Sequence, residues 1–326
     1  MEQPPVLGRG MVAWRSKDLF MTSLSPPRSA LSANLICMAS MLIWAAALPA
    51  AEVLIRADPA PLPPVILNAA RMVMAALFLL PIWWLVEGST ALRRANWGRG
   101  IMVGSLLAAG AMMLVFGQTR TSAVMAAVVS SAMPLVGIAM EIVLDGRKLT
   151  LGIVLGLLLS VVGGILAAGN FDGGLSFGIG ALLCLASVLT FTFASRWTVT
   201  ALPGLSPLGS TSLTICGAAV TGSAFALVGW AFGLPGPNLS AFGMTEFAAL
   251  TIYGVGGLAI SQLLWIIAVG SLGIAMSALH INLTPFYVMI FMLALGGSWS
   301  WLQAAGAALV AIGVLIAQGM IKLPGR

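Results

Sequence analysis

Few residues in this sequence have the chemistry for a reaction centre, and their types and spacing exclude most enzyme classes. His280 is the single histidine among 326 residues. A zinc protease of the H-E-x-x-H type needs two histidines, and an ATP-driven pump needs a G-x-x-x-x-G-K-[ST] phosphate cradle. "DGRKLT" (145–150) has the lysine and threonine of that cradle without its glycine loop. Paired buried carboxylates, as an aspartyl protease would use, are not available either. The nine acidic residues fall in tails, loops or the ends of apolar stretches. Ser130, Ser131 and His280 are the one set that could form a nucleophile and base. They sit at similar depths in two long apolar stretches, where small polar residues more often serve as contacts between helices. No catalytic residue, metal site or cofactor is expected. Arg71 and His280 remain as ionisable groups inside apolar surroundings, a costly placement that calls for a function or a partner. The bland reading of His280 is a hydrogen-bonded neutral imidazole. That of Arg71 is a long side chain reaching outward to pair with Glu52.

The elements that hold these residues follow from composition. Sixty per cent of the chain is hydrophobic and 7% charged, and the mean hydropathy is +1.06. So little charge could not cover a soluble surface, so the chain is an all-α integral membrane protein. A hydrocarbon core of about 30 Å requires roughly 20 apolar residues per helix. The sequence then divides into ten spans near 31–54, 64–86, 99–117, 121–144, 150–169, 177–197, 207–232, 245–269, 274–296 and 299–320. Short loops such as "ADPAPLPP" (57–64), "GNFDGG" (169–174) and "GLPGPN" (233–238) separate them. Cys37, Cys184 and Cys216 lie scattered inside spans and read as apolar packing. Trp83, Trp84, Trp97, Trp197, Trp230, Trp299 and Trp301 fall near span ends, as an interfacial belt does.

Lysine and arginine set the orientation. With the N-terminus inside, twelve of the fifteen basic residues gather on the inner side, against Arg56 and Arg120 outside and Arg71 within span 2. This distribution, rather than nucleic-acid binding, accounts for the net charge of +6. Both termini are expected in the cytoplasm, with residues 1–30 and 321–326 as tails and no cleaved signal peptide. The chain also repeats itself. "LICMASMLIWA" (35–45) and "LLCLASVLTFT" (182–192) share Leu, Cys, Ala, Ser and Leu at matching places. Pro134 of span 4 pairs with Pro285 of span 9, and Gly156 and Gly163 of span 5 pair with Gly306 and Gly313 of span 10. Five spans per half is odd, so residues 31–170 and 171–320 form two inverted-topology repeats. A helix break at membrane depth is tolerated where it lines a cavity or is buried in protein. The matched prolines therefore predict breaks bordering a central cavity.

Ten spans in two five-helix halves, with "LIWA" (42–45), "TRTSAVMAAVVSSAMP" (119–134), "LTLGIVLGLLLSVVGG" (149–164) and "LQAAGAALVAIGV" (302–314), resemble the EamA-type exporters of the drug/metabolite transporter superfamily. The nearest resemblance is to the branch that exports amino acids, aromatic ones included. It implies a bacterial inner-membrane exporter in which spans 1, 3, 4, 6, 8 and 9 surround the cavity and the two halves rock about it. On that footing Trp44, Tyr253, Trp265, His280 and Tyr287 would line the cavity, with Asn34, Gln118, Ser130, Gln262, Asn282 and Thr284 as polar groups. Pro134 and Pro285 would be the breaks. An aromatic, mostly apolar pocket with few polar groups suits a small amphipathic solute. Membrane lipid is the other expected partner. Proton coupling through His280 and facilitated exchange both fit, as do a monomer and a homodimer. Gly152 and Gly156 would suit a dimer seam. The rival readings are an efflux carrier for hydrophobic cations and, from another class, a membrane hydrolase.

Overall fold

In a bilayer no water is present to satisfy backbone N–H and C=O groups, so a chain this apolar must pair them within its own segments. The computed structural model describes residues 30–145, 148, 150–168, 174–272, 274–317 and 321. Among them all regular structure is helical. The long helices are α1 (Ala30–Arg56), α2 (Pro64–Arg94) and α3 (Trp97–Gln118), followed by the short pair α4 (Ala123–Ser130) and α5 (Met133–Asp145). Next come α6 (Leu151–Ala168), α7 (Gly174–Ala201) and α8 (Pro207–Ala231). Then α9 (Met244–Thr251) runs through a π-helical stretch, Ile252–Ile260, into α10 (Ser261–Leu272). The chain continues through α11 (Ile274–Leu279), a 3₁₀ turn at His280–Leu283, α12 (Thr284–Ala294) and α13 (Trp301–Ala317).

Eight helical segments are long and apolar enough to cross a membrane, and α6 and α13 are two shorter apolar helices. The chain is a multi-pass membrane protein. Helix starts carry their expected chemistry: Ser122, Ser206 and Asn96 accept the orphan N–H groups of α4, α8 and α3. Pro64 and Pro207 stand at first positions, where no N–H is needed. Residues 1–29 and 322–326, which hold most of the expected tails, lie outside the described residues, as do the loop at 169–173, Arg147 and the Glu141 and Asp145 side chains.

The helices pack in a pattern that sets where a cavity can form. α1 lies against α10 and the π-helix, α3 against α7 and α8, α2 against α8, and α6 against α13. Glycine permits the last contact. A Cβ on Gly156 would stand 2.3 Å from the Gly313 carbonyl oxygen, and one on Gly163 would stand 2.7 Å from that of Gly306. Gly152 and Gly156 thus pack against α13 of the same chain, not a dimer seam: a Cβ on Gly152 would lie 3.1 Å from the Ile316 oxygen. The outer faces of this pair, including Leu157, Leu158, Val161 and Trp301, are exposed and apolar, as lipid contact requires.

Gly163→Val should destabilise the protein by about 2 kcal/mol or more, because overpacking a closed contact costs on that scale. Gly164→Val, where an added Cβ meets nothing within 4 Å, should be tolerated. Heating both variants in detergent and counting the fraction that remains monodisperse compares them directly. Equal loss would show that the glycine crossing is not what holds α6 to α13.

Candidate functional site

Both matched prolines stand in the first turn of a new helix, just past a break. Pro134 follows Met133 at the start of α5, after the turn that separates it from α4. Pro285 follows Thr284 at the start of α12, after the 3₁₀ turn. In that position proline's missing N–H costs little, and the broken helix ahead of it avoids the clash with the carbonyl four residues back. Ahead of Pro285, the Thr284 N–H closes the turn on the Ile281 carbonyl.

Between these breaks lies a central cavity of about 70 Å³. Ser130 and Met133 flank the first break and Ile281 lies in the second, and all three line it. The walls are mainly apolar and aromatic, with Met41, Trp44, Leu107, Leu114, Phe191 and Trp265. Its polar groups are Arg71, Ser130, Ser187, Ser261 and Gln262. Ser40 and Ser261 fasten α1 to α10 behind the wall, each hydroxyl donating to the other's carbonyl at 2.8 and 3.1 Å. Trp265 is buried, and its indole N–H has no hydrogen-bond partner among the described residues. At about 15 Å³ per water, the cavity holds about five waters, so its walls must part before it takes an amino acid.

The two ends of the cavity differ. Toward the Ala30 end of α1, Met133 and Trp265 also line a second cavity of about 60 Å³, which continues past Thr192 and Ser195 to Arg196. These two side chains are common to the walls of both cavities. Toward the Arg56 end, α1 is tied to the turn that leads into α4. Gln118 Nε2 donates to the Leu48 carbonyl at 3.2 Å. The Glu52 carboxylate accepts from the Ala123 N–H at 2.6 Å and from Arg56 Nε at 2.7 Å. Arg56 Nη2 also donates to the Thr121 carbonyl. A larger groove of about 470 Å³ lies between α2, α3, α7 and α8, lined by Met112, Met113, Phe116 and Phe225. It is mostly apolar, with Asn68, Ser105, Arg120 and Thr221 as its polar groups, and it takes no residue from the broken helices.

Of the residues expected from sequence, Trp44, Ser130, Gln262 and Trp265 come together in the cavity wall. Tyr253 is fully buried beside it, beneath Arg71. Gln118 belongs to the seal at the Arg56 end. Asn282 and Thr284 are buried at the second break. Tyr287 packs half-buried against the core shared by α4, α6 and α13. Asn34, in the first turns of α1, and His280, which opens the 3₁₀ turn, are half-buried and not among the wall residues. Ser130 and Ser131 donate to the carbonyls of Ala126 and Ala127 in their own helix, at 2.8 and 3.2 Å.

Arg71 is the principal correction to the sequence reading. It does not reach outward to Glu52, whose oxygens serve Arg56 and Ala123. Arg71 is 2% exposed, lines the cavity from α2, and lies with its guanidinium 4.3 Å from the centre of the Tyr253 ring. Such a contact, away from water, is worth about 2 kcal/mol. The approach depends on Gly254, where a Cβ would stand 2.9 Å from the Arg71 carbonyl oxygen. An arginine inside an apolar span was itself the available signal. Trp83, expected in the interfacial belt, is fully buried, with its indole N–H donating to Glu87 at 3.0 Å.

Residues 31–169 match the EamA-like transporter family. The match covers 139 of the 326 residues and is consistent with the drug/metabolite transporter superfamily. A solved structure known simply as "Crystal structure of protein" aligns over 90% of this chain and 98% of its own, with a TM-score of 0.63 and 21% identity. That likeness speaks to the fold alone. No curated protein matches the chain.

Met133→Ala should join the two cavities. In a background with Cys37, Cys184 and Cys216 replaced, a cysteine at position 187 should then react several-fold faster with a water-soluble thiol reagent. An unchanged rate would show that Met133 does not divide them.

Proposed function

We propose that this protein is a secondary transporter that exports small metabolites, foremost amino acids and aromatic ones among them, by alternating access around the central cavity. The observation that carries this reading is the cavity itself, walled by helices from both halves of the chain and bordered by both proline breaks. Its aromatic wall, with Trp44 and Trp265, and its few polar groups, including Ser130 and Gln262, suit a small amphipathic solute. In this reading the remaining expected residues (Asn34, Gln118, Tyr253, His280, Thr284 and Tyr287) meet the solute or its path as the halves move.

Ten spans in two inverted halves are the framework we infer, with α6 and α13 as spans 5 and 10. The packing supports it. Exchanging each span for its counterpart five places on turns the α1–α10 contact into α7–α3. It also turns the Gly156–Gly313 crossing into Gly306–Gly163, and both close approaches are present. The basic residues favour cytoplasmic termini in a bacterial inner membrane. Among the described lining residues there is no carboxylate or imidazole, which favours facilitated exchange over proton coupling. Arg71 opposes the reading as an efflux carrier for hydrophobic cations. A second positive charge 5 Å away would be repelled by about 3 kcal/mol at an effective dielectric of 20.

Saturable uptake of labelled phenylalanine or tryptophan into proteoliposomes is expected, reduced at least about tenfold by Trp44→Ala or Trp265→Ala. Uptake should be indifferent to an imposed pH gradient. Gradient-dependent uptake would assign a proton to the cycle, and the absence of uptake for every amino acid tried would reject the substrate class.

A further inference from the structure

We infer that Arg71 is an anion-binding residue of the central cavity and that the solutes carried there bear a carboxylate. This deepens the transporter reading by naming the group the site recognises, and it rests on that reading for the word "carried". Arg71 sits about seven residues, or ~10 Å, along α2 from its start, inside an apolar span. Its Nε and Nη1 are enclosed and have no hydrogen-bond partner among the described residues. A buried cation is retained when it is paired or hydrogen-bonded, and here the wall offers it no anion among the described residues. No carboxylate lines the cavity among the described residues. Glu52, the acid nearest in expectation, is engaged by Arg56 and the Ala123 N–H.

The Tyr253 ring stabilises the charge and fixes the plane of the guanidinium, and it brings no negative charge of its own. A guanidinium held on an aromatic face at the edge of a cavity, with donors left unpaired, is prepared for a carboxylate. Trp44 and Trp265 in the same wall offer ring faces to an apolar side chain. The site as a whole therefore selects an acid with an apolar or aromatic body, and it disfavours the corresponding amine.

The test separates binding from transport. Sodium 3-phenylpropionate, phenylalanine, phenylalaninamide and phenethylamine are titrated into the detergent-purified protein, following tryptophan fluorescence and the melting temperature. The first two should bind. The amide and the amine, which lack the carboxylate, should bind at least about tenfold more weakly. Arg71→Gln should abolish that preference, and Arg71→Lys should keep part of it. Equal binding of all four compounds, or an unaltered preference in Arg71→Gln, overturns the inference. Arg71-dependent carboxylate binding without transport upholds the site and rejects the transporter reading. Transport that is indifferent to the carboxylate upholds the transporter and rejects the site.

Discussion

The constraint beneath this structure is that a bilayer offers backbone groups no water. Every N–H and C=O at membrane depth must find a partner in the protein, and so the chain is helix wherever it faces lipid. The same rule makes each departure from regular helix informative. Besides the kink at Gly88 near the end of α2, three such departures stand among the described spans: the α4–α5 break, the 3₁₀ turn before α12 and the π-helix between α9 and α10. Each contributes residues to the central cavity: Ser130 and Met133, Ile281, and Gly257 and Leu258. Irregular backbone and central cavity coincide because neither could exist at that depth without buried surroundings.

Much of the architecture is legible in the sequence because bilayer thickness acts directly on span length. The apolar stretches match the helices to within a few residues, and punctuation such as Pro64, Pro207 and Ser122 sits where helix termini need it. Pro134 and Pro285 mark the breaks through their matched places in the two halves, whereas Pro49 and Pro81 stand inside α1 and α2 without ending them. The site is less legible. Arg71 reads from sequence as an outward-reaching side chain, and what holds it inward is tertiary: Gly254 lets two backbones approach, and Tyr253 arrives beneath the guanidinium. Trp83 fails for a similar reason, since Glu87 one turn on gives its N–H a partner in the interior. The π-helix has no residue-type signature. Its glycines announce close contact, which Gly257 makes against Ala47, but they do not announce the register of the hydrogen bonds.

The ends of α1 divide the molecule into a fastened part and a looser one. Glu52, Arg56 and Gln118 tie the Arg56 end to the turn before α4 through backbone groups that a helix start or a turn leaves unpaired. Toward the other end the Met133 and Trp265 side chains are common to the walls of two cavities. Side chains change rotamer on far shorter timescales than hydrogen-bonded helices part.

The π-helix has a consequence for geometry downstream. Across Ile252–Ile260 the ladder runs to the fifth residue, as the Ser261 N–H bonded to the Gly256 carbonyl illustrates, whereas an α-helix bonds to the fourth. A shift of register by one whole residue across this stretch would turn α10 by about 100° about its axis, the angle each residue subtends in an α-helix. Gln262 and Trp265 would swing with it as spokes on a shaft. The stretch is a screw thread cut into a membrane helix, and its register sets which side chains of α10 face the cavity.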